Sequence, residues 1–219
     1  MKKGTIFIDL DGTIFDVSEK IYLVYRDILA NFDAKILQKD EYLRLKREKT
    51  PLDAILKKTS AGDLRGQFEK LWDGLIESDH YLDFDKLVPK AKETLATLGG
   101  KFDLVLVTLR NNELGLEKEL EKNGLKKIFR AVLVASGRGR ENKHKLKSKM
   151  ISGLDISGRK CAIVGDTETD ILAGKDLKIK TVAVCGGMRR REFLAAYNPD
   201  FLLNNISEME NWCNCQLSD

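Results

Sequence analysis

The chain has 219 residues, with 38 Lys and Arg against 34 Asp and Glu, and a formal net charge of +4. This length predicts one large domain or one domain with a smaller insertion. Hydrophobic residues at 42% and charged residues at 33% exclude a disordered or collagen-like chain. The net charge is too small to indicate nucleic-acid binding. Because the chain has only 2 His, we do not expect a multi-histidine zinc site.

Short apolar, β-branched runs recur along the chain and alternate with segments of helical spacing. We predict strands at residues 4–9, 102–108, 131–135, 161–165 and 180–184, and a short sixth strand at 201–203. Helical patterns lie between the later strands at 111–123, 144–153, 167–177 and 188–196. Strand and helix in alternation predict an α/β fold with a doubly wound parallel sheet, whose strands are buried on both faces.

The first gap between strands breaks this alternation. Between Ile14 and Leu87 the sequence contains helical patterns and no convincing strand, although a crossover between parallel strands needs only a dozen or so residues. We therefore predict an α/β core made of residues 1–15 and 88–219, and an inserted small helical domain at 16–87.

Acidic side chains follow two of the predicted strands. The first strand ends in Asp9 and Asp11, and the fourth is followed by Asp166 and Asp170. In open α/β sheets, ligands bind at the carboxyl ends of the strands. Carboxylates that converge there repel one another unless a cation or protons neutralise them, and such oxygen ligands suit Mg²⁺.

Donors and cations are predicted at the same edge. Thr108 ends the second strand, just before a helix whose N-terminal amides can bind an anion, and Lys143 and Lys145 follow the third. An acidic, metal-binding side that faces lysine, hydroxyl and amide groups suits phosphoryl transfer. Asp9 would attack phosphorus as a nucleophile, and Asp11 would protonate the leaving oxygen and later deprotonate water. The turn at Gly12 lets both carboxylates address one substrate.

The segments FIDLDGT, VLVT, a downstream lysine and VGDTETD together resemble the four ordered motifs of the haloacid dehalogenase superfamily. The resemblance covers essentially the whole chain and is similar to the phosphoglycolate-phosphatase-like branch, which has a helical cap after the first motif. It implies a phosphoaspartyl intermediate on Asp9. It also implies Mg²⁺ held by the Asp9 carboxylate, the Asp11 main-chain carbonyl and Asp166, with Asp170 in support. Dehalogenases of the superfamily lack the second acid of the first motif, so Asp11 favours phosphate chemistry.

The predicted site therefore has three groups of residues. Those assigned to catalysis are Asp9, Asp11, Thr108 and one lysine, either Lys143 or Lys145; those assigned to substrate binding are Gly12, Thr13, Leu109 and Arg110; and those assigned to the metal are Asp9, Asp11, Asp166 and Asp170. Members of the branch often have Lys-Pro at the third motif, whereas this chain reads ENKHKLKSKMI there, so the choice of lysine stays open.

The predicted function is Mg²⁺-dependent hydrolysis of a small phosphorylated metabolite. The alternatives are a phosphomutase of the same fold, similar to β-phosphoglucomutase, and a 5′-nucleotidase; outside enzymes, a phosphoryl-accepting signalling protein or a binding protein remains. The basic side chains Arg44, Lys46, Arg47 and Lys49 in the insertion could favour a substrate with a second anionic group. The basic run at 137–149 is interpreted as a solvated helix face with one catalytic lysine, because no aromatic residues interleave it as in nucleic-acid sites.

The remaining expectations concern the setting of the protein. No run reaches the ~18 apolar residues of a membrane span, and Asp9 and Asp11 interrupt the first apolar run before a secretory core forms. Free thiols are favoured for the Cys residues, and the role of the pair Cys213 and Cys215 stays open. We expect a cytoplasmic monomer or homodimer that has neither nucleic acid nor a membrane as a partner.

Overall fold

The computed structural model describes residues 2–137, 142–156 and 158–216. In chain order the strands are β1 (Thr5–Ile8), β2 (Phe15–Asp16), β3 (Lys86–Leu87), β4 (Asp103–Thr108), β5 (Ala131–Val134), β6 (Cys161–Gly165), β7 (Lys180–Val184) and β8 (Phe201–Leu203). The α-helices are α1 (Ser18–Ala30), α2 (Lys39–Arg47), α3 (Leu52–Lys58), α4 (Arg65–Leu75), α5 (Asp79–Leu82), α6 (Ala91–Lys101), α7 (Glu113–Lys122), α8 (Lys143–Ser152), α9 (Glu168–Leu177), α10 (Arg191–Ala195) and α11 (Met209–Gln216). Short 3-10 turns lie at Gly62–Leu64 and Ile206–Glu208.

Six strands form one parallel sheet in the order β5-β4-β1-β6-β7-β8. The chain moves outward from β1 in one direction through β4 and β5 and in the other through β6, β7 and β8. The strand order therefore reverses beside β1, the position where doubly wound sheets bind ligands at the carboxyl ends of their strands. The predicted α/β fold is confirmed, including the short strand at 201–203.

Helices cover both faces of the sheet, which explains why the strands are apolar at successive residues. In β1, Ile6 and Ile8 belong to the larger hydrophobic cluster, whereas Phe7 belongs to the cluster on the other face, with Ile151 and Ala173. Neighbouring residues of a strand point to opposite faces, so a strand buried on both sides needs no polar alternation. All of β1 is buried, and its carboxyl end is thereby fixed in the middle of the sheet.

The helical segment between β2 and β3 contains α1 to α5, and no strand is assigned to its residues 18–82. β2 and β3 pair antiparallel, Phe15 with Leu87 and Asp16 with Lys86, so the chain leaves and re-enters the α/β part at adjacent points. Tyr25 of α1 stacks on Tyr42 of α2 with ring centroids 3.9 Å apart. The division of the chain into two domains at 16–87 stays a prediction.

Two helices were not predicted. α6 precedes β4, and α11 follows β8 at the end of the described chain. Ala91, Leu95 and Leu98 of α6 are buried, at the i, i+4, i+7 spacing of a helix face, so the pattern was present in the sequence. Within the described residues, no helix has both the length and the apolar character that a membrane span requires.

Candidate active site

Three carboxylates meet at the carboxyl end of the sheet. Asp9 follows β1 and Asp166 follows β6, which are neighbouring strands, and Asp170 lies in the first turn of α9. One carboxylate oxygen from each of the three lies within 4.8 Å of the others, and all three residues are buried. The sheet order thus produces the convergence of acids that the sequence predicted for these residues.

The three carboxylates are unfavourable together without a cation. Burial raises the pKa of Asp9 to about 7 against the attraction of Lys147, and it raises the pKa of Asp166 well above the usual range, with repulsion from Asp9 and Asp170 adding to the effect. One oxygen of Asp166 accepts a hydrogen bond from the backbone N–H of Met188 at 2.5 Å, whereas its Oδ1 is buried with no hydrogen-bond partner. A buried, unpaired carboxylate oxygen beside two further carboxylates is the donor set that a divalent cation needs, and the residues fit Mg²⁺.

Glycine is required where the chain crosses this cluster. Gly12 has φ of +82°, and a Cβ at that position would collide with the carboxylate of Asp166. A Cβ at Gly187 would meet both Asp166 and the carbonyl oxygen of Gly12. Two backbone segments therefore close around Asp166, which holds its carboxylate in one place.

The buried lysine of the site is Lys147. Its ammonium lies 2.5 Å from Asp9 Oδ1 and 2.5 Å from Asp170 Oδ1. Burial by itself would lower the pKa of Lys147, but Asp170 and Asp9 hold it above its usual value, so the side chain is a cation. Asp170 also accepts hydrogen bonds from Thr167, which caps α9, so the lysine is held by a carboxylate that is itself fixed.

Neither lysine proposed from the sequence occupies this position. Lys145 is exposed and pairs with Asp176 at 2.9 Å, away from the carboxylates. Lys143 begins α8 and lines the cavity above the cluster, but its side chain is exposed. Lys147 lies one helical turn beyond Lys143 and one turn before the buried Ile151, and residues at this spacing share a helix face. The i, i+4 relation to Ile151 is the signal in the sequence that could have pointed to Lys147, although Lys143 lies on the same helix face.

Asp11 belongs to a second buried group of charges. Arg110 donates to both of its carboxylate oxygens at 2.7 Å, and Lys20 lies 3.4 Å from Oδ1. Both cations also contact Asp85, Lys20 at 2.5 Å and Arg110 at 2.9 Å. Burial alone would raise the pKa of Asp11, but Arg110 and Lys20 hold it well below the usual range. Asp11 is therefore ionised in this arrangement.

Glu119 of α7 completes this group behind Arg110. Its carboxylate lies 3.2 Å from the guanidinium, yet neither of its oxygens has a geometrically satisfactory hydrogen bond, and Oδ1 of Asp85 is also unpaired. Burial raises the pKa of Glu119 to about 8 in spite of Arg110, and the neighbouring Asp85 adds to the rise. A proton shared between the two carboxyl groups would give Oδ1 of Asp85 and one oxygen of Glu119 a hydrogen-bond partner.

The two charge groups open into one cavity of about 540 Å³. Of the residues assigned from the sequence, those that line it are Asp9, Asp11, Thr108, Leu109, Arg110, Lys143 and Asp166. Asp170 does not line the cavity and accepts a hydrogen bond from Lys147. Gly12 and Thr13 form the turn that packs against Asp166. Lys145 lies on the far side of α8, where it pairs with Asp176. Sequence reasoning missed Lys147, Lys20, Asp85 and Glu119.

Comparison with known proteins identifies the family. Residues 6–184 match the haloacid dehalogenase-like hydrolase family. The chain is 26% identical over 223 residues to the pyrophosphatase PpaX of Bacillus cereus strain Q1 and 24% identical to that of Bacillus thuringiensis strain Al Hakam, with 95% of each chain covered in both cases.

Solved structures share the fold. A haloacid dehalogenase-like hydrolase from Streptococcus pneumoniae superposes with a TM-score of 0.78 at 18% identity, covering 95% of this chain and 97% of that one. A predicted phosphoglycolate phosphatase from Haemophilus somnus gives 0.75 at 17% identity, covering 97% and 99%. The chain belongs to the haloacid dehalogenase-like hydrolase family, and it is a phosphatase-type hydrolase within it.

Proposed function

We propose that this protein hydrolyses a small phosphorylated metabolite with Mg²⁺, through a phosphoaspartyl intermediate on Asp9. The observation that carries the proposal is the single cavity that Asp9, Asp11 and Asp166 line above the buried ammonium of Lys147. Phosphoryl transfer to a carboxylate needs acidic side chains that can hold a metal ion, a cation in a fixed position and a carboxylate that the substrate can reach.

In the first step, a carboxylate oxygen of Asp9 forms a bond to phosphorus while the bond between phosphorus and the leaving oxygen breaks. Asp11, which takes up a proton from solvent once the substrate weakens its contact with Arg110, gives that proton to the leaving oxygen. In the second step, water attacks the same phosphorus, Asp11 takes the proton of the water, and the bond to Asp9 breaks to release phosphate. Lys147 remains paired with Asp9 and Asp170, and its charge offsets the negative charge that builds up at the phosphoryl oxygens.

Asp11 is prepared for the second step by Arg110. The bidentate contact keeps its carboxylate ionised, which is the form that accepts a proton from water. An incoming phosphate competes with Asp11 for Arg110, which lines the cavity, and this competition weakens the hold that keeps Asp11 ionised. The same arginine therefore couples substrate binding to protonation of the acid.

The metal would be held by the carboxylates of Asp9 and Asp166 and the main-chain carbonyl of Asp11, with Asp170 beside them. When bound, Mg²⁺ neutralises phosphate charge and polarises the phosphoryl oxygens. We propose residues 16–87 as a cap, because this segment contacts the α/β part beside the cavity. Arg189, in the loop after β7, donates to the carbonyl of Lys46 in α2 at 3.1 Å, and Lys49, just beyond α2, pairs with Glu168 of α9 at 2.8 Å.

Pyrophosphate hydrolysis is a second candidate. The PpaX relatives that match 95% of the chain are named pyrophosphatases, and cleavage of a phosphoanhydride needs the same attack on phosphorus with phosphate as the leaving group. The chemistry of Asp9 and Lys147 is the same for both candidates; the leaving group is what differs.

The test is phosphate release from a panel of sugar phosphates, nucleoside monophosphates, short phosphorylated acids and pyrophosphate, with and without Mg²⁺, for the protein and for Asp9→Asn. We expect release that requires both Mg²⁺ and Asp9. Turnover retained by Asp9→Asn contradicts the mechanism, and a purely phosphoryl-accepting or binding protein gives no turnover with any member of the panel. Isomerised sugar phosphate in place of free phosphate identifies a mutase.

A further inference from the structure

A second cavity lies between α5 and α7. Its volume is about 330 Å³, and it shares no lining residue with the cavity above Asp9. Its charged lining residues are Asp79, Asp83, Asp85, Lys118, Glu119 and Lys122. Because acids outnumber lysines around it, the charge balance of its two ends decides what it can bind.

The outer end of this cavity is balanced. Asp79 is exposed and pairs with Lys118 at 2.9 Å, and Asp83 is exposed and pairs with Lys122 at 2.7 Å. Exposed pairs of this kind neutralise each other and are screened by solvent. Any capacity to bind an ion therefore depends on the two deeper acids.

Asp85 and Glu119 form the buried end of the cavity. The side chain of Asp85 is fully buried, and that of Glu119 is only 6% exposed. Oδ1 of Asp85 and both carboxylate oxygens of Glu119 have no hydrogen-bond partner. Buried polar atoms of folded proteins are nearly always partnered, so these oxygens require a donor or a cation.

The buried charges are out of balance by one. Arg110 contacts Asp85 at 2.9 Å and Glu119 at 3.2 Å, and the ammonium of Lys20 lies 2.5 Å from Asp85. Both cations also pair with Asp11. When all these groups are ionised, three carboxylates face two cations, and one positive charge is missing. A divalent ion exceeds that need and is repelled by the two cations already present.

Burial also limits the size of the missing ion. The unpaired oxygens are closed off from bulk water, so an ion smaller than a water molecule fits them best. A bare Na⁺ is smaller than water, whereas K⁺ is about as large. Carboxylate oxygens are suitable ligands for a hard cation, and the cavity has room for water molecules as the remaining ligands.

We propose that Asp85 and Glu119 bind one Na⁺ at the buried end of this cavity, apart from the site proposed for Mg²⁺. This site does not depend on the proposed function. Na⁺ takes the place of the proton that the two carboxyl groups would otherwise share, so the ion and the proton compete for the same oxygens. The ion completes the charge around Arg110, which is the residue that holds Asp11.

Thermal denaturation at pH 8 tests the site, with Mg²⁺ present so that Na⁺ does not bind at the catalytic carboxylates. The Tm is measured in the chlorides of sodium, potassium and choline at equal concentration, since choline matches the ionic strength and is too large to enter. We expect Na⁺ to give a saturable rise of about 2–4 °C over choline, and K⁺ to give a smaller one. Equal Tm values in Na⁺ and choline overturn the proposal, and K⁺ that stabilises as well as Na⁺ overturns the assignment of the ion.

Substitutions locate the ion. Glu119→Gln and Asp85→Asn should each abolish the response to Na⁺, because each removes a charged ligand. Glu117→Gln is the matched control on the same helix and should keep the response, since Glu117 is exposed and pairs with Lys126 at 2.6 Å. A response that survives Glu119→Gln overturns the site. If Asp85→Asn does not fold, Glu119→Gln decides by itself.

Two further measurements separate a bound ion from a general salt effect. At pH 5 the response to Na⁺ should vanish, because burial raises the pKa of Glu119 to about 8 and a proton then occupies its carboxyl group. At pH 8 the protein and Glu117→Gln should broaden the sodium NMR signal more than Glu119→Gln does. Equal broadening by all three proteins, or a response to Na⁺ that is the same at both pH values, contradicts the proposal.

Discussion

Arg110 donates hydrogen bonds of 2.7 Å to both carboxylate oxygens of Asp11, and the arginine side chain is only 3% exposed. A planar guanidinium can make this two-pronged contact, whereas the ammonium of a lysine binds as a point charge. We therefore expect Arg110→Lys to keep the charge and lose the geometry. The free energy of unfolding should fall by about 2 kcal/mol, and kcat should fall as well.

The matched control is Arg130→Lys. Arg130 is 60% exposed and pairs with Asp103 at 2.5 Å, so that substitution should change stability by less than about 0.5 kcal/mol. Urea denaturation of the three proteins makes the comparison. Equal stabilities for Arg110→Lys and Arg130→Lys would show that the contact between Arg110 and Asp11 contributes no more to stability than the exposed ion pair of Arg130.

Lys147 is the lysine whose loss should stop the reaction. Lys147→Met leaves Asp9 and Asp170 without their shared cation, and we expect phosphate release to fall by roughly 100-fold or more. Lys145→Met removes a cation from the outer face of the same helix, where Lys145 pairs with Asp176, and should retain near-normal activity. Thermal denaturation separates loss of fold from loss of chemistry. The opposite ranking of the two variants would return the role to Lys145, one of the two lysines that the sequence left open.

Gly12 tests how the metal site is built. Gly12→Ala strains a backbone with φ of +82° and also forces a Cβ against Asp166, whereas Gly158→Ala strains φ of +69° in open space. Each substitution should lower the free energy of unfolding by about 1 kcal/mol through backbone strain. Gly12→Ala should lower it further, because its Cβ also collides with Asp166. We expect Mg²⁺ to raise the Tm of the unsubstituted protein and of Gly158→Ala by similar amounts, and to raise that of Gly12→Ala much less. The same response to Mg²⁺ in both variants would contradict the proposed position of the cation.

The strands and the acids at their ends were predictable because the signals are local. A strand buried on both faces is a continuous apolar run, and Asp9 and Asp166 come directly after such runs, with Asp170 four residues beyond Asp166. The choice of lysine was harder, since Lys143, Lys145, Lys147 and Lys149 alternate along one helix and only its packing decides which faces inward.

The contacts of Arg110 could not be predicted at all. The sequence predicted that Arg110 binds the substrate. In the structure its guanidinium forms ion pairs with Asp11, Asp85 and Glu119. Asp11 and Asp85 lie 99 and 25 residues away in the chain, and no pattern of residues links segments so far apart. Such pairs depend on how the helical segment folds back through β2 and β3.

Glu119 provides a pH test of the buried charge group. Its pKa is raised to about 8 in the folded protein, by burial first and by Asp85 and Asp11 in addition, against the attraction of Arg110. Lys20 is the remaining charge of the group, paired with Asp85. Between the pKa of the unfolded chain, about 4.5, and about 8, the folded state binds more protons than the unfolded state. The free energy of unfolding should therefore fall as pH rises through this window.

Glu119→Gln keeps the shape of the neutral side chain and cannot ionise, so we expect it to lose much less stability between pH 5 and pH 8 than the unsubstituted protein, by on the order of 2 kcal/mol. Glu117→Gln is the control on the same helix, because the pKa of Glu117 is lowered by its hydrogen bond to Lys126, which leaves Glu117 ionised throughout that range. Urea denaturation at the two pH values measures all three proteins. A parallel decline in all of them would mean that Glu119 is ionised beside Arg110, and that no proton is shared with Asp85.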